Sequence, residues 1–159
     1  MSLFPEDVPF EVVREPWCTY DIGDDCTLRT KLVILKILKP PGIPLEKVKG
    51  LNFPAHVHIA VDAPPEKKGT PETKKLTPEL LRNSIVEDID PIPIKTPKNE
   101  YKLKNGTVIR FSLSLTRVAR TDLFSDDGSP VFVVSHQIVP QLRFPKRRKS
   151  SRRKSKGVV

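Results

Sequence analysis

The sequence predicts an all-β protein, and three observations carry that prediction. Apolar and polar residues alternate with a period of two over long stretches, the pattern of strands with one buried face. Seventeen prolines are spread along 159 residues, and each fixes φ and removes a backbone donor, which interrupts helices. Residues 81 positions apart match along much of the chain, beginning with Tyr20 and Tyr101, so whatever one half builds the other is expected to repeat.

The match runs without a gap from Glu6 to Lys39. Glu6-Asp7 falls on Glu87-Asp88, Val8 on Ile89, Pro16 on Pro97 and Ile22 on Leu103. Leu28-Arg29 falls on Ile109-Arg110, Leu32 on Leu113, Ile34 on Leu115, Lys36 on Arg117 and Lys39 on Arg120. It is poor between Pro40 and Ala63 and resumes with Pro64 on Pro145 and Lys67 on Arg148. The expected architecture is therefore a tandem-duplicated small antiparallel sheet or open-barrel unit, over residues 6–70 and 87–151. Each unit alone has little core, so the two are expected to pack as a pseudo-two-fold pair.

Within the first unit, Asp24-Asp25 occupies a turn, Leu28, Leu32 and Ile34 line an apolar strand face, and Ala55 to Val61 is a closing strand. In the second, Glu100 to Lys104 alternates and Asn105-Gly106 supplies a hairpin turn, where φ > 0 is needed at both central positions. Thr107 to Arg120 alternates again, with Ile109, Phe111, Leu113 and Leu115 on one face and Arg110, Ser112 and Ser114 on the other. Asp126-Asp127-Gly128 marks a turn, and Val131–Val139 and Gln141–Phe144 read as two further strands. Between the units, the segment from Ala63 to Leu76 is polar and proline-rich. Thr77-Pro78-Glu79 then has the order of an N-cap, a first-turn proline and a first-turn acid. It opens a short helix that places Leu80, Leu81 and Ile85 on one face and ends near Val86. The organisation expected is a first β-rich repeat (1–70), a linker with one short helix (71–86), a second β-rich repeat (87–145) and a disordered basic C-terminal tail (146–159).

The charge is unevenly placed. Of 28 Lys and Arg, nine lie from Arg143 onward, in a stretch with no Asp or Glu; the other 19 balance the 19 acidic residues. The body is neutral and the tail cationic. The run from Lys146 to Lys156 has no apolar residue and so buries nothing to offset chain entropy, but it can neutralise phosphates and release counterions. The candidate nucleic-acid-binding residues are Arg143, Lys146, Arg147, Arg148, Lys149, Arg152, Arg153, Lys154 and Lys156, joined by Arg110 and Arg117 on the long second-unit strand. With Arg29, Lys31, Lys36, Lys39 and Arg120, these two form a possible contact stripe across the pair, set against an ordinary solvated sheet face. Ser150, Ser151 and Ser155 are potential phosphorylation sites within the tail.

The function expected is that of a non-catalytic RNA-binding component of a ribonucleoprotein, ribosome-associated, with other proteins of the same particle as partners. RNA is favoured over DNA because no helix-turn-helix, zinc finger or basic zipper is present to read a major groove. The aromatic signature of sheet-based base stacking is absent. The alternatives are a DNA-binding chromatin or transcription-complex subunit, and a protein-interaction adaptor using an exposed β edge.

No apolar run approaches the length of a membrane span, and the N-terminus lacks the pattern of a signal peptide, so a cytoplasmic protein with no membrane partner is expected. A high proline content with few Met, Cys and Gln hints at a thermophile. No nucleophile elbow, HExxH or glycine-rich phosphate loop points to an enzyme, a cofactor or a small-molecule substrate. His56 and His58 would share one face of a strand, half of a metal site that Cys18, Asp62 or His136 would have to complete. Without such completion they are partly buried or RNA-facing imidazoles. Cys18 and Cys26 read as two small buried or half-buried thiols rather than a bridge.

Overall fold

A computed structural model describes residues 4–145. Eleven strands are present among the described residues. They are β1 (Glu6–Asp7), β2 (Phe10–Arg14), β3 (Trp17–Asp21), β4 (Thr27–Ile34), β5 (Leu38–Lys39), β6 (Ala55–Asp62), β7 (Ile85–Ile89), β8 (Ile92–Lys95), β9 (Asn99–Leu103), β10 (Val108–Phe124) and β11 (Pro130–Arg143). The alternation behind the strand prediction is visible in their burial: along β4 every second residue from Leu28 to Ile34 is buried. One helix, α1 (Pro78–Asn83), starts at Thr77, whose Oγ1 accepts the Leu80 N–H at 3.1 Å. Among the described residues no helix is long and apolar enough to cross a membrane.

The strands form two main sheets and a short pair, with antiparallel pairing throughout. The first sheet has the order β6-β4-β3-β8 and the second the order β11-β10-β9-β2, with β7 added along the far half of β10; β1 pairs with β5. The chain thus leaves β2 in the second sheet and enters β3 in the first. Later it leaves β8 in the first sheet and enters β9 in the second. The first sheet takes three strands from the first half of the chain and its outermost strand, β8, from the second; the second sheet takes four strands from the second half and its outermost strand, β2, from the first.

The ladders repeat one another at the 81-residue spacing. Tyr20 faces Leu28 and Tyr101 faces Ile109. Thr27 faces Asp62 and Val108 faces Arg143. The exchanged strands keep the same register, with Pro93 opposite Tyr20 and Val12 opposite Tyr101. Both exchanged ladders slip by one residue at corresponding places, after Val12 and after Pro93. Glu6 lies opposite Lys39 and Glu87 opposite Arg120, and each of these pairs is bridged by an ion pair.

The inward faces of the two sheets stack on one another and mix both halves in each hydrophobic cluster. One cluster joins Val8, Leu32, Ile34 and Ile37 to Tyr101, Leu103, Ile109 and Phe111. Tyr101 stands edge-on to Phe10 and Phe111, with ring centroids 5.5 and 5.6 Å away. The other cluster joins Cys18, Tyr20, Ile22, Cys26 and Leu28 to Val118, with Leu115, Phe132 and Val134 packed against it. A polar network is set into this core near the points where the chain changes sheets. The Tyr101 hydroxyl donates to Glu15 Oε2 at 2.6 Å, and Asn99 Nδ2 donates to Tyr101 Oη at 2.9 Å and to the Leu32 carbonyl at 2.6 Å. Burial and the adjacent Glu15 carboxylate raise the Tyr101 pKa, so its hydroxyl stays protonated and donating. Cys18 and Cys26 are buried free thiols, and loss of hydration pushes both above the usual thiol range.

Two expectations about elements are corrected. The helix ends at Asn83 and does not reach Val86, because the β-branched Ile85-Val86 begins β7, which pairs with β10. The segment expected as two strands, Val131–Val139 and Gln141–Phe144, is the single strand β11. Pro140 is tolerated within it because β11 is outermost, and a proline on an edge need not donate to a ladder. Both main sheets are open, and each is completed by a strand from the other half of the chain.

Candidate nucleic-acid interface

Eight of the predicted site residues, Lys146, Arg147, Arg148, Lys149, Arg152, Arg153, Lys154 and Lys156, lie outside the described residues. What the structure places is the root of that segment. Arg143 ends β11 and is exposed. Pro145 lies against the Asn105-Gly106 turn, with its Cγ 3.1 Å from where a Cβ on Gly106 would stand.

Arg143 belongs to the outward face of the second sheet, since its ladder neighbours alternate with the buried Ile109 and Phe111. One row across that sheet reads Glu11, Lys102, Val108 and Arg143, and the next reads Arg14, Glu100, Arg110 and Gln141. Four cations face two carboxylates over these two rows. Arg110 is held by Glu100, with Nε to Oε1 at 3.0 Å. Arg117, farther along β10 beyond the bulge that follows Leu115, is held by Asp88 at 3.0 Å. Arg143 and Arg110 are thus brought onto one face, and both Arg110 and Arg117 carry a carboxylate partner.

The stripe considered from the sequence is not assembled. Arg29 and Lys31 alternate with buried residues of β4 and so point out of the first sheet, while Arg110 points out of the second, on the opposite side of the stack. Most members also carry carboxylates: Arg29 with Asp62 at 2.6 Å, Lys39 with Glu6, and Arg120 with Glu87 at 3.0 Å. Pairing with Asp62 raises the Arg29 pKa and keeps its charge fixed.

The first sheet carries a group that sequence reasoning passed over. Trp17 is the only tryptophan of the chain, and it points outward because Cys18 and Tyr20 occupy the buried phase of β3; it remains 39% exposed. The Arg29 guanidinium stands over its ring at 4.9 Å and the Lys31 ammonium at 5.8 Å. Trp17, Lys31 and His58 are direct ladder neighbours across three strands. His56 and His58 meet edge to face with ring centroids 4.5 Å apart. The legible signal was the alternation itself, which puts an aromatic residue on the polar phase of a strand.

Among the described residues no group of three or more His, Cys, Asp and Glu side chains is placed to hold a metal. Cys18 faces the core while the two histidines face outward, and His136 belongs to the other sheet, so none of these completes a site with His56 and His58. The surface hollows are mixed in character. One of about 340 Å³ at the Asp24 turn is lined by Cys26, Lys67, Arg120, Asp122 and Phe132. Comparison with known proteins returns nothing that resembles the chain: no family model, no curated protein and no solved structure matches it.

Proposed function

We propose that the protein is a non-catalytic RNA-binding component of a ribonucleoprotein, associated with the ribosome, which it grips through the basic run from Arg143 onward. The observation that carries this reading is the charge separation: nine Lys and Arg without an acid in the last 17 residues, on a body whose charges balance. The exposed Arg143 and Lys102 on the second sheet extend that cationic surface onto the folded body. Binding of this kind is driven by counterion release and carries little sequence preference. We also read the two halves as products of one duplicated unit, on the strength of the common register of their ladders at the 81-residue spacing.

The test is the salt dependence of binding to structured RNA by the full chain and by a chain with the eight basic residues between Lys146 and Lys156 changed to alanine. Each phosphate contact contributes roughly 0.7 to 0.9 to the slope of log K against log salt. The substituted chain is expected to bind more weakly at low salt and to lose up to about six units of that slope. An unchanged slope and affinity overturns the assignment. Loss of binding to duplex DNA but not to RNA would instead favour the chromatin or transcription-complex reading. The adaptor reading has one observation of its own, the exposed apolar residues Ile92 and Ile94 on the edge strand β8. Pro93 and the adjacent bulge blunt that edge against strand addition.

A further inference from the structure

We propose that the outward face of the first sheet is a second nucleic-acid site, which stacks a base of single-stranded RNA on Trp17 while Lys31 and Lys95 meet the adjoining phosphates. This rests on the reading of the protein as an RNA binder and adds to it a site separate from the basic run.

An exposed indole carries a cost. A large ring on the solvent side of a strand gains nothing from the core, and on this sheet it is the one large aromatic placed there. Its surroundings are polarised. At the Trp17 end of the face stand Arg29 and Lys31, with Lys95 opposite Thr19 on the neighbouring strand and His58 in the Trp17 row. The two acids of the face, Asp21 and Asp62, sit together at the far end, both in the row of Thr27. No carboxylate lies within ion-pairing distance of Lys31 or Lys95 among the described residues, whereas Arg29 is already fixed by Asp62. A ring held by a guanidinium, beside two free ammonium groups, is the arrangement that binds a single strand: the base supplies a π-face and the phosphates supply the charge. An acidic peptide would match the cations but would leave the indole without a flat partner. A duplex hides its base faces and cannot use the ring at all. His58, opposite Lys31, adds a polar ring beside the indole.

Trp17 is also the reporter, since no other tryptophan contributes emission. The full chain is titrated with single-stranded oligouridylate and oligoadenylate of about a dozen nucleotides. Binding is followed both by anisotropy of a labelled strand and by tryptophan emission. Stacking is expected to quench the emission saturably, with the same midpoint as the anisotropy. Trp17→Ala is expected to weaken binding about ten- to a hundred-fold without altering the salt slope, because stacking releases no counterions. Trp17→Phe is expected to restore most of the loss. Lys31→Ala, a surface change that leaves the indole in place, is expected to lower the slope by about one unit. If the strand binds by anisotropy but emission is unchanged and Trp17→Ala binds as tightly as the parent, the stacking site is overturned and the electrostatic reading stands. If neither RNA nor DNA binds, the electrostatic reading fails and this site fails with it. A tighter grip on single-stranded DNA than on RNA, with the Trp17 effect intact, keeps the site and changes only the sugar it prefers.

Discussion

At the level of single residues, Asp127 shows how a surface carboxylate can be tied to the fold. Its Oδ1 accepts from the Ser125 hydroxyl at 2.7 Å and from the Ser129 N–H at 2.9 Å, closing the turn between β10 and β11. These hydrogen bonds, the Ser125 one foremost, lower its pKa from 3.8 to about 2. A depressed carboxylate stabilises the folded chain fully above its ordinary pKa and stops doing so as pH falls through the folded value. The contribution of Asp127 is therefore expected to fade between about pH 4 and pH 2. Thermal melts of Asp127→Asn are expected to lie below the parent at neutral pH and to converge with it in acid. The sequence marked Asp126-Asp127-Gly128 as a turn but could not say which aspartate closes it. The same limit applies to Arg110 and Arg117. Their positions on a strand were legible, but Glu100 and Asp88 as partners depend on strand pairing that the chain does not spell out. Trp17 was missed because no motif contains it; only strand phase gives it meaning.

At the level of elements, the turns were the most legible features. Asn105-Gly106 was predicted as a hairpin turn with positive φ at both residues; the turn is present, but only Gly106 has positive φ (+88°), and its N–H reaches the Leu103 carbonyl at 3.0 Å, so Lys104 and Asn105 are the central residues of the turn. An alanine there would take a strained backbone and press its Cβ on Pro145, 3.1 Å away. Gly106→Ala is expected to destabilise by about 1 kcal/mol or more, read as a shift in denaturant midpoint. The Asp24-Asp25 turn is achieved differently, with positive φ at both aspartates (54° and 60°) after Gly23. Strands with one buried face, such as β4 and β10, announced themselves by period two. The exchanged strands β2 and β8 did not. They lie at sheet edges with most residues exposed, so neither Phe10-Glu11-Val12-Val13-Arg14 nor Ile92-Pro93-Ile94-Lys95 alternates. Helix α1 was found from its cap and overextended at its end, where the tertiary demand for β7 overrode a weak helical pattern.

At the level of the whole molecule, the exchange makes each half incomplete. Leu28 in the first half and Phe111 in the second are both essentially fully buried, in clusters that draw on both halves. Unfolding is therefore expected to be one transition. Tryptophan emission, which reports the first sheet, and far-ultraviolet circular dichroism, which reports all strands, should trace the same curve. Leu28→Ala and Phe111→Ala should each lower that single midpoint, at a cost of about 2–5 kcal/mol. Two resolved transitions would mean that the halves are separate domains. The 81-residue spacing made the likeness of the halves legible in advance, because conserved spacing needs no knowledge of contacts. It could not disclose the exchange, since a repeat states what each half builds and is silent on which half supplies the outer strand.

The crossed strands also leave the chain open to a particular error of assembly. The edge that β8 completes on the first sheet presents the same ladder whether β8 arrives from its own chain or from a neighbour's. The long connection from Ala63 to Ser84 gives that strand reach. In dilute solution the strand's own chain is by far the nearest source. When many chains fold together, as on a crowded polysome or in concentrated refolding, two molecules can complete each other's sheets and become intertwined without a single non-native pairing. Such a dimer would satisfy every hydrogen bond of the monomer, so it would come apart only as slowly as the fold itself opens.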